Sequence, residues 1–352
     1  MRTLALMFLL PLLLAAEPPK PEASRVSLDA SAKTVAEAAA SISKQVNIVV
    51  DVSRAMQDKP VKLALKDVPF WEALDQLAKA SDHRLSISAQ GSKIALFGGP
   101  NEKYGQEPID VQGPFRFSGR KTLGKINLET GQSSTEIEVE VIWEPRFKAF
   151  YAEIPAKSIS AWDNEQKPLA VAGEGSGKLP VAGSAVEITV RLSGVPREAK
   201  RIGRLEGEIR ITGTTQMLQF SFAADATGDA TTSQKEGVTA TLKQFEKKGR
   251  IWTALIEFEY PKGGPEFESF QSFLLDNQCW LVHRDGRRFL NQGLFELLGE
   301  HDGRYPVAYR FVENEKTGLA IGNPKDWQVV VRTPGRITVT PVKFRLNNIA
   351  LP

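Results

Sequence analysis

Apolar residues change their spacing several times along these 352 residues, and each change marks a predicted element. Val26 and Leu28 alternate with polar neighbours, which predicts a short strand. The spacing then turns helical: Val35, Ala38, Ala39, Ile42 and Val46 share one face, with Ser31 or Thr34 placed to cap it. Residues 48–50 are an apolar run too short for a helix and read as a strand. Val61, Leu63 and Leu65 alternate into the next strand. Pro69 suits the first turn of a second helix, where its missing N–H costs nothing, and Phe70, Leu74, Leu77 and Ala78 form the helix stripe. Leu85 with Ile87, then residues 94–97, complete a βαββαββ order over 25–97. Elements this short bury no face alone, so they are expected to share one small core.

Residues 98–113 are a Gly/Pro/polar connector, across which few contacts are predicted. Beyond it a period of two dominates. Residues 122–128 read as a strand. Ile137, Val139, Val141 and Trp143 face one way and Glu136, Glu138 and Glu140 the other, which predicts a half-buried strand with a solvated acidic face. Glu144-Pro145-Arg146 ends it, and strands follow at 186–192, 205–211 and 217–222. Residues 114–225 therefore predict an antiparallel sandwich of immunoglobulin-like size. A Thr/Ser/Gly/Asp-rich linker at 226–237 is the predicted boundary to a second sandwich over 238–352. That region opens with a hairpin, 238–245 and 251–260, around Lys247-Lys248-Gly249. Asp285-Gly286 predicts another, because its turn needs positive φ. Strands at 307–312, 327–332 and 337–346 complete it. The predicted fold class is multi-domain: a small α+β unit followed by two antiparallel β-sandwiches.

Composition adds location more than chemistry. Arg2, the apolar run Leu4 to Leu14 and the small exit Ala15-Ala16 read as a cleavable secretory signal over 1–16. Residues 17–24 contain Pro18, Pro19 and Pro21 and read as a stiff linker. The chain is expected to be periplasmic or secreted. No later run offers the ~18 apolar residues of a spanning helix, so no stable membrane insertion of the mature chain is expected. The net charge of +3 is spread along the chain, which argues against nucleic acid as a partner. Cys279 is the single cysteine, so no intramolecular disulfide forms; it lies in an alternating run beside Trp280 and reads as a buried core thiol.

Within 25–97, the helix at 34–45, the Asn47-Ile48-Val49-Val50-Asp51 strand, the Val61-Lys62-Leu63-Ala64-Leu65 strand and the Asp67-Val68-Pro69-Phe70-Trp71-Glu72-Ala73-Leu74 helix start resemble the short N-terminal domain of secretins and TonB-dependent receptors. The resemblance rests on order and spacing and covers about a fifth of the chain. It implies a non-catalytic domain that docks onto partner proteins in the periplasm. A short strand at a sheet edge recruits a strand from another protein, and Val49 and Asp51 stand in such a segment. Trp71, at the flank of the second helix stripe, is the third candidate: it is expected either to be partly exposed, as a frequent kind of hot spot, or merely to close the edge of the core.

Other chemistry is sought in vain. The run from Gly173 to Lys178 fails as a phosphate loop, with Ala172 where the first glycine is required and Leu179 where Ser or Thr should bind magnesium. His83, His283 and His301 have no second His at metal-ligand spacing. His301-Asp302 with Glu296 and Glu300 reads as a solvated loop rather than a metal site. No Gly-x-Ser-x-Gly elbow is present. Glu136, Glu138 and Glu140 lie about 7 Å apart on one strand face, whereas glycosidases set two carboxylates across a cleft. Trp252, Phe258 and Tyr260 share one parity; they make either a sugar-stacking platform or, the favoured reading, a core stripe. The expectation is a non-enzymatic envelope protein without cofactor or metal, acting on an envelope protein partner through 25–97, its sandwiches serving as spacers or a second binding surface. The rival is a carbohydrate-binding or carbohydrate-active protein using a sandwich face. Exposed aromatics on one β face favour the rival; an open strand edge favours the first.

Overall fold

The computed structural model describes residues 21–29, 34–54, 57–88, 93–98, 107–155, 157–173, 177–196, 199–226, 231–260, 277–299, 303–314 and 320–352. The expected signal over 1–16 and half of the expected linker, 17–20, lie outside these. Among the described residues the protein is mostly β, with two α-helices and several sheets around three apolar cores.

The first core is built from β1 (Arg25–Leu28), α1 (Val35–Val46), β2 (Val50–Val52), β3 (Leu65–Pro69), α2 (Phe70–Ala80), β4 (Arg84–Ser88) and β5 (Lys93–Phe97). α1 starts in a capping box: Thr34 Oγ1 accepts from Glu37 N at 3.2 Å, and the Glu37 carboxylate accepts from Thr34 N at 3.2 Å. It ends at Asn47, held left-handed at φ 54°. Val35, Ala38, Ala39 and Ile42 are buried as the stripe predicts. β1 pairs antiparallel with β3, while β2, β5 and β4 form a second sheet in that order.

Two of these strands differ from expectation. The strand expected at 48–50 begins at Val50, because Asn47 ends the helix and pairing to β5 starts only at Val50↔Ile94. The strand expected at 61–65 lies at Leu65–Pro69, where β1 pairs with it. Pro69 is accordingly the N-cap of α2, in extended backbone, rather than a first-turn residue.

The second core holds β6 (Ile109–Gln112), β7 (Phe115–Ile126), β8 (Ser133–Trp143), β9 (Lys148–Glu153), β10 (Ser160–Asp163), β11 (Pro168–Ala172), β12 (Leu179–Pro180), β13 (Ala185–Ser193) and β14 (Arg201–Thr214). The third holds β15 (Met217–Ala223), β16 (Thr232–Lys235), β17 (Val238–Lys248), β18 (Ile251–Glu259), β19 (Gln278–His283), β20 (Arg288–Leu290), β21 (Phe295–Leu297), β22 (Arg304–Val312) and β23 (Trp327–Pro334). The last strand, β24 (Thr338–Ala350), returns to the second core. There the sheet runs β12-β9-β14-β10-β11-β13-β8-β7-β6, with β24 on the other side of β14. In the third core a four-stranded sheet, β15-β23-β19-β20, and a five-stranded sheet, β16-β17-β18-β22-β21, share one apolar interior.

The predicted boundary at 226–237 does not match these pairings. β15, expected in the first sandwich, pairs with β23 from Met217↔Pro334 to Ala223↔Gln328. β24, expected in the second, pairs with β14 from Arg201↔Ala350 to Gly213↔Thr338. Part of the expected linker is itself strand β16. β14 and β15 thus run beside β24 and β23 as one long antiparallel ribbon, and its middle is held by Gly335 N donating to Gln216 O at 2.8 Å. The third core is an insertion between β14 and β24.

Glycines on β14 allow its neighbours to approach. A Cβ at Gly203 would meet Asp163 O at 2.4 Å, and one at Gly213 would meet Lys148 O at 2.4 Å. Both lie at register shifts, against β10 and β9 respectively.

The connector expected over 98–113 is also corrected. Residues 109–112 are strand β6, paired with β7. Several specific contacts nevertheless cross between the first and second cores. Trp71 Nε1 donates to Pro114 O at 2.8 Å. Arg116, itself buried, grips Asp75 with Nε to Oδ2 at 3.0 Å and Nη2 to Oδ1 at 3.0 Å. Ser24 donates its N–H to Glu144 Oε1 at 2.8 Å and its hydroxyl to Oε2 at 2.5 Å. Ile142 packs into the first core, while its neighbours Val141 and Trp143 pack into the second.

Candidate functional site

The three candidate residues do not converge. Trp71 is 1% exposed, so the expected partial exposure is wrong. Its ring lies against Phe70 with centroids 4.9 Å apart, and its one polar atom is spent on Pro114 O. Helical period placed it at the margin of the α2 stripe; a second buried surface, the junction with the second core, takes it in. Trp71 is a joint residue.

Val49 and Asp51 lie together at an open edge. Among the described residues β2 is an outer strand, bonded to β5 on one side only. Ser53 N donates to Leu96 O at 3.0 Å, so in alternating strand geometry Val52 directs its N–H and C=O away from β5. Val50 N, pointing the same way, is taken by Ser43 Oγ at 3.1 Å from α1. Val50 O and both polar backbone groups of Val52 are left on the rim, with no described strand beside them. Val49 is 74% exposed and Asp51 is exposed, while Val50 anchors the strand in the first core. The arrangement offers a short backbone edge, one apolar side chain and one carboxylate.

The carboxylate face of β8 is less solvated than expected. Glu136 is buried and bonded by Lys125 and by Arg191, which hold its carboxyl below the usual range. Lys121 meets Glu138 at 3.3 Å, and Arg120 meets Glu140 at 3.6 Å. Cross-strand cations from β7 and β13 neutralise the row. Glu140 is nevertheless raised, because burial outweighs Arg120 and Arg116. Asp75 is raised by burial too, against the attraction and hydrogen bonds of Arg116. These carboxylates make a structural ladder and a joint, with no cleft between acid and base.

The remaining chemistry behaves as core or surface. Cys279 is buried, which pushes its thiol up and away from nucleophile character. Trp252, Phe258 and Tyr260 are buried in the third core, as the favoured reading expects, so they form no sugar-stacking face. Glu296 is bonded to Arg310; His301, Asp302 and Glu300 lie outside the described residues, as does part of the run from Gly173 to Lys178. Among the described residues no group of three His, Cys, Asp or Glu is placed to hold a metal ion, and no helix is long and apolar enough to cross a membrane.

A groove of about 790 Å³ lies along β6, β24 and β14, lined by Asp110, Glu206, Glu208, Arg210, Lys343 and Arg345 among others. Acids and bases alternate there and mostly pair, as Arg345 with Glu206 at 2.5 Å and Arg210 with Glu208 at 3.3 Å. The outer edge of β24 is blunted. Asp110 accepts from Arg345 N at 2.7 Å, and Pro341, of the same parity, has no N–H to present. Comparison with known proteins found no matching family profile, no matching curated protein and no matching solved structure.

Proposed function

We propose that this is an exported cell-envelope protein that acts by protein–protein interaction, docking an extended segment of a partner onto the β2 edge. The observation that carries the reading is the open rim of Val52 beside exposed Val49 and Asp51. A strand laid there gains backbone hydrogen bonds for affinity, an apolar contact at Val49 and a place for a cation opposite Asp51. The βαββαββ order and its likeness to the short N-terminal domain of secretins and TonB-dependent receptors support a non-catalytic docking unit. The burial of Trp252, Phe258 and Tyr260 removes the support for a carbohydrate face, and the two immunoglobulin-sized β units behind the dock serve as scaffold.

The test is affinity capture from an envelope extract with wild-type protein and two edge variants. Val52→Pro deletes an outward N–H that the fold does not use; Val49→Lys removes the apolar contact. Both are expected to melt like wild type and to lose the captured protein. Capture undiminished by either variant would sink the reading.

A further inference from the structure

Open strand edges are treated unequally in this protein. The edge of β24 carries Pro341, Lys343 and the Asp110 cap, devices that keep strands from pairing. β20 and β21 carry neither proline nor lysine. Among the described residues each is an outer strand of one of the two sheets of the third core, opposite β15 and β16 respectively, and they follow one another in the chain. Leu290 is 60% exposed, Leu294 44%, Leu297 41% and Leu298 52%, all within nine residues. The segment is held in place: Leu294 N donates to Asn291 O at 3.0 Å, Arg310 N to Leu294 O at 2.8 Å and Leu298 N to Pro306 O at 2.9 Å. The leucines are therefore displayed on a fixed frame.

We propose that this leucine edge is where the protein pairs with a second copy of itself. Area is the first argument. Four half-exposed leucines present on the order of 350 Å², the size of a functional patch. Doubled across a two-fold axis, at the roughly 57% apolar share of an ordinary interface, that corresponds to about 1,200 Å², the lower limit of a stable pair. Charge is the second argument. Arg288 on β20 is exposed and has no carboxylate partner among the described residues, while Glu296 lies on β21, where it is bonded to Arg310 and keeps half of its side chain exposed to meet a second cation. A two-fold that sets β20 of one copy beside β21 of the other brings these opposite charges together. It also avoids the Glu296–Glu296 repulsion of a β21–β21 match. A bilayer is a poorer occupant, because hydrocarbon would leave the open edge groups unbonded.

The purified protein is expected to sediment at twice the chain mass at micromolar concentration. Leu290→Lys with Leu298→Lys is expected to weaken association roughly a hundredfold, as when central apolar anchors of an interface are lost. Its melting should match that of the wild type at dilution where both are monomers, since both side chains already face solvent. Arg288→Glu should weaken the pair, and adding Glu296→Arg should restore it. A wild-type protein that stays monomeric throughout, or a dimer indifferent to the leucine variant, overturns the proposal. So does a monomer that floats with anionic phosphatidylserine vesicles, which would give the leucines to a lipid surface.

Discussion

Trp71 on α2 donates its indole N–H to the carbonyl of Pro114, the residue just ahead of β7, at 2.8 Å. One bond so placed ties a helix of the first core to the start of the second. Trp71→Phe keeps most of the ring and leaves the Pro114 carbonyl unpaired, which should cost about 1–3 kcal/mol. Trp71→Ala adds a cavity and should cost about 3–5 kcal/mol. Denaturant melts of the whole protein check both values. If Trp71 instead served a partner, capture would fall in Trp71→Phe with no loss of stability.

The same junction holds the buried Arg116–Asp75 pair. Asp75→Leu should destabilise by about 3–5 kcal/mol, because it leaves a buried guanidinium without its main partner. Adding Arg116→Met should recover most of that loss, since an apolar pair needs no counter-charge. A double variant as unstable as the single one would show that the pair is not the element that matters.

Because of this junction, cleavage between the cores should not part them. An engineered protease site between residues 99 and 106 is expected to give two fragments that co-elute in gel filtration. Separation on nicking would mean that Trp71, Arg116 and Ser24 hold less than their geometry implies.

Glu313 supplies a pH dependence. Burial raises its carboxyl, but Lys247 at 2.7 Å, Ile321 N at 2.9 Å and Trp252 Nε1 at 2.8 Å win, lowering it from 4.5 to about 2. The folded value lies below the unfolded one, so its contribution is full above pH 4.5 and is lost as pH falls through about 2. Melting of the wild type should fall across that window. In Glu313→Gln the slope should be shallower, starting from a lower stability at neutral pH.

Local features were legible in the sequence and long-range ones were not. Ser31 or Thr34 announced a helix start, Asp285-Gly286 a hairpin, and Val141 and Trp143 a core face; each depends on neighbours within a few residues. The joint was hidden because α2 was judged by one stripe, whereas Phe70 and Trp71 side by side serve two surfaces. A signal did exist: Val141, Ile142 and Trp143 are consecutive apolar residues, and all three are buried. Such unbroken runs mark strands covered on both faces. The pairing of β24 with β14 joins residues more than a hundred positions apart, and alternation along either strand says nothing about its partner. The β2 edge was half legible: its residues were found, but its rim depends on β5.

The ribbon of β14–β15 with β23–β24 has a consequence for how the chain matures. The second core lacks β24 until residues 338–350 have left the ribosome, whereas the described strands of the inserted core are made before that. During vectorial synthesis the inserted core is free to fold first, and the older sheet waits for β24. Deleting residues 338–352 should therefore unmake a structure encoded more than a hundred positions earlier. Replacing residues 215–337 by a tight turn should leave that structure standing, with Gly213 still opposite Thr338.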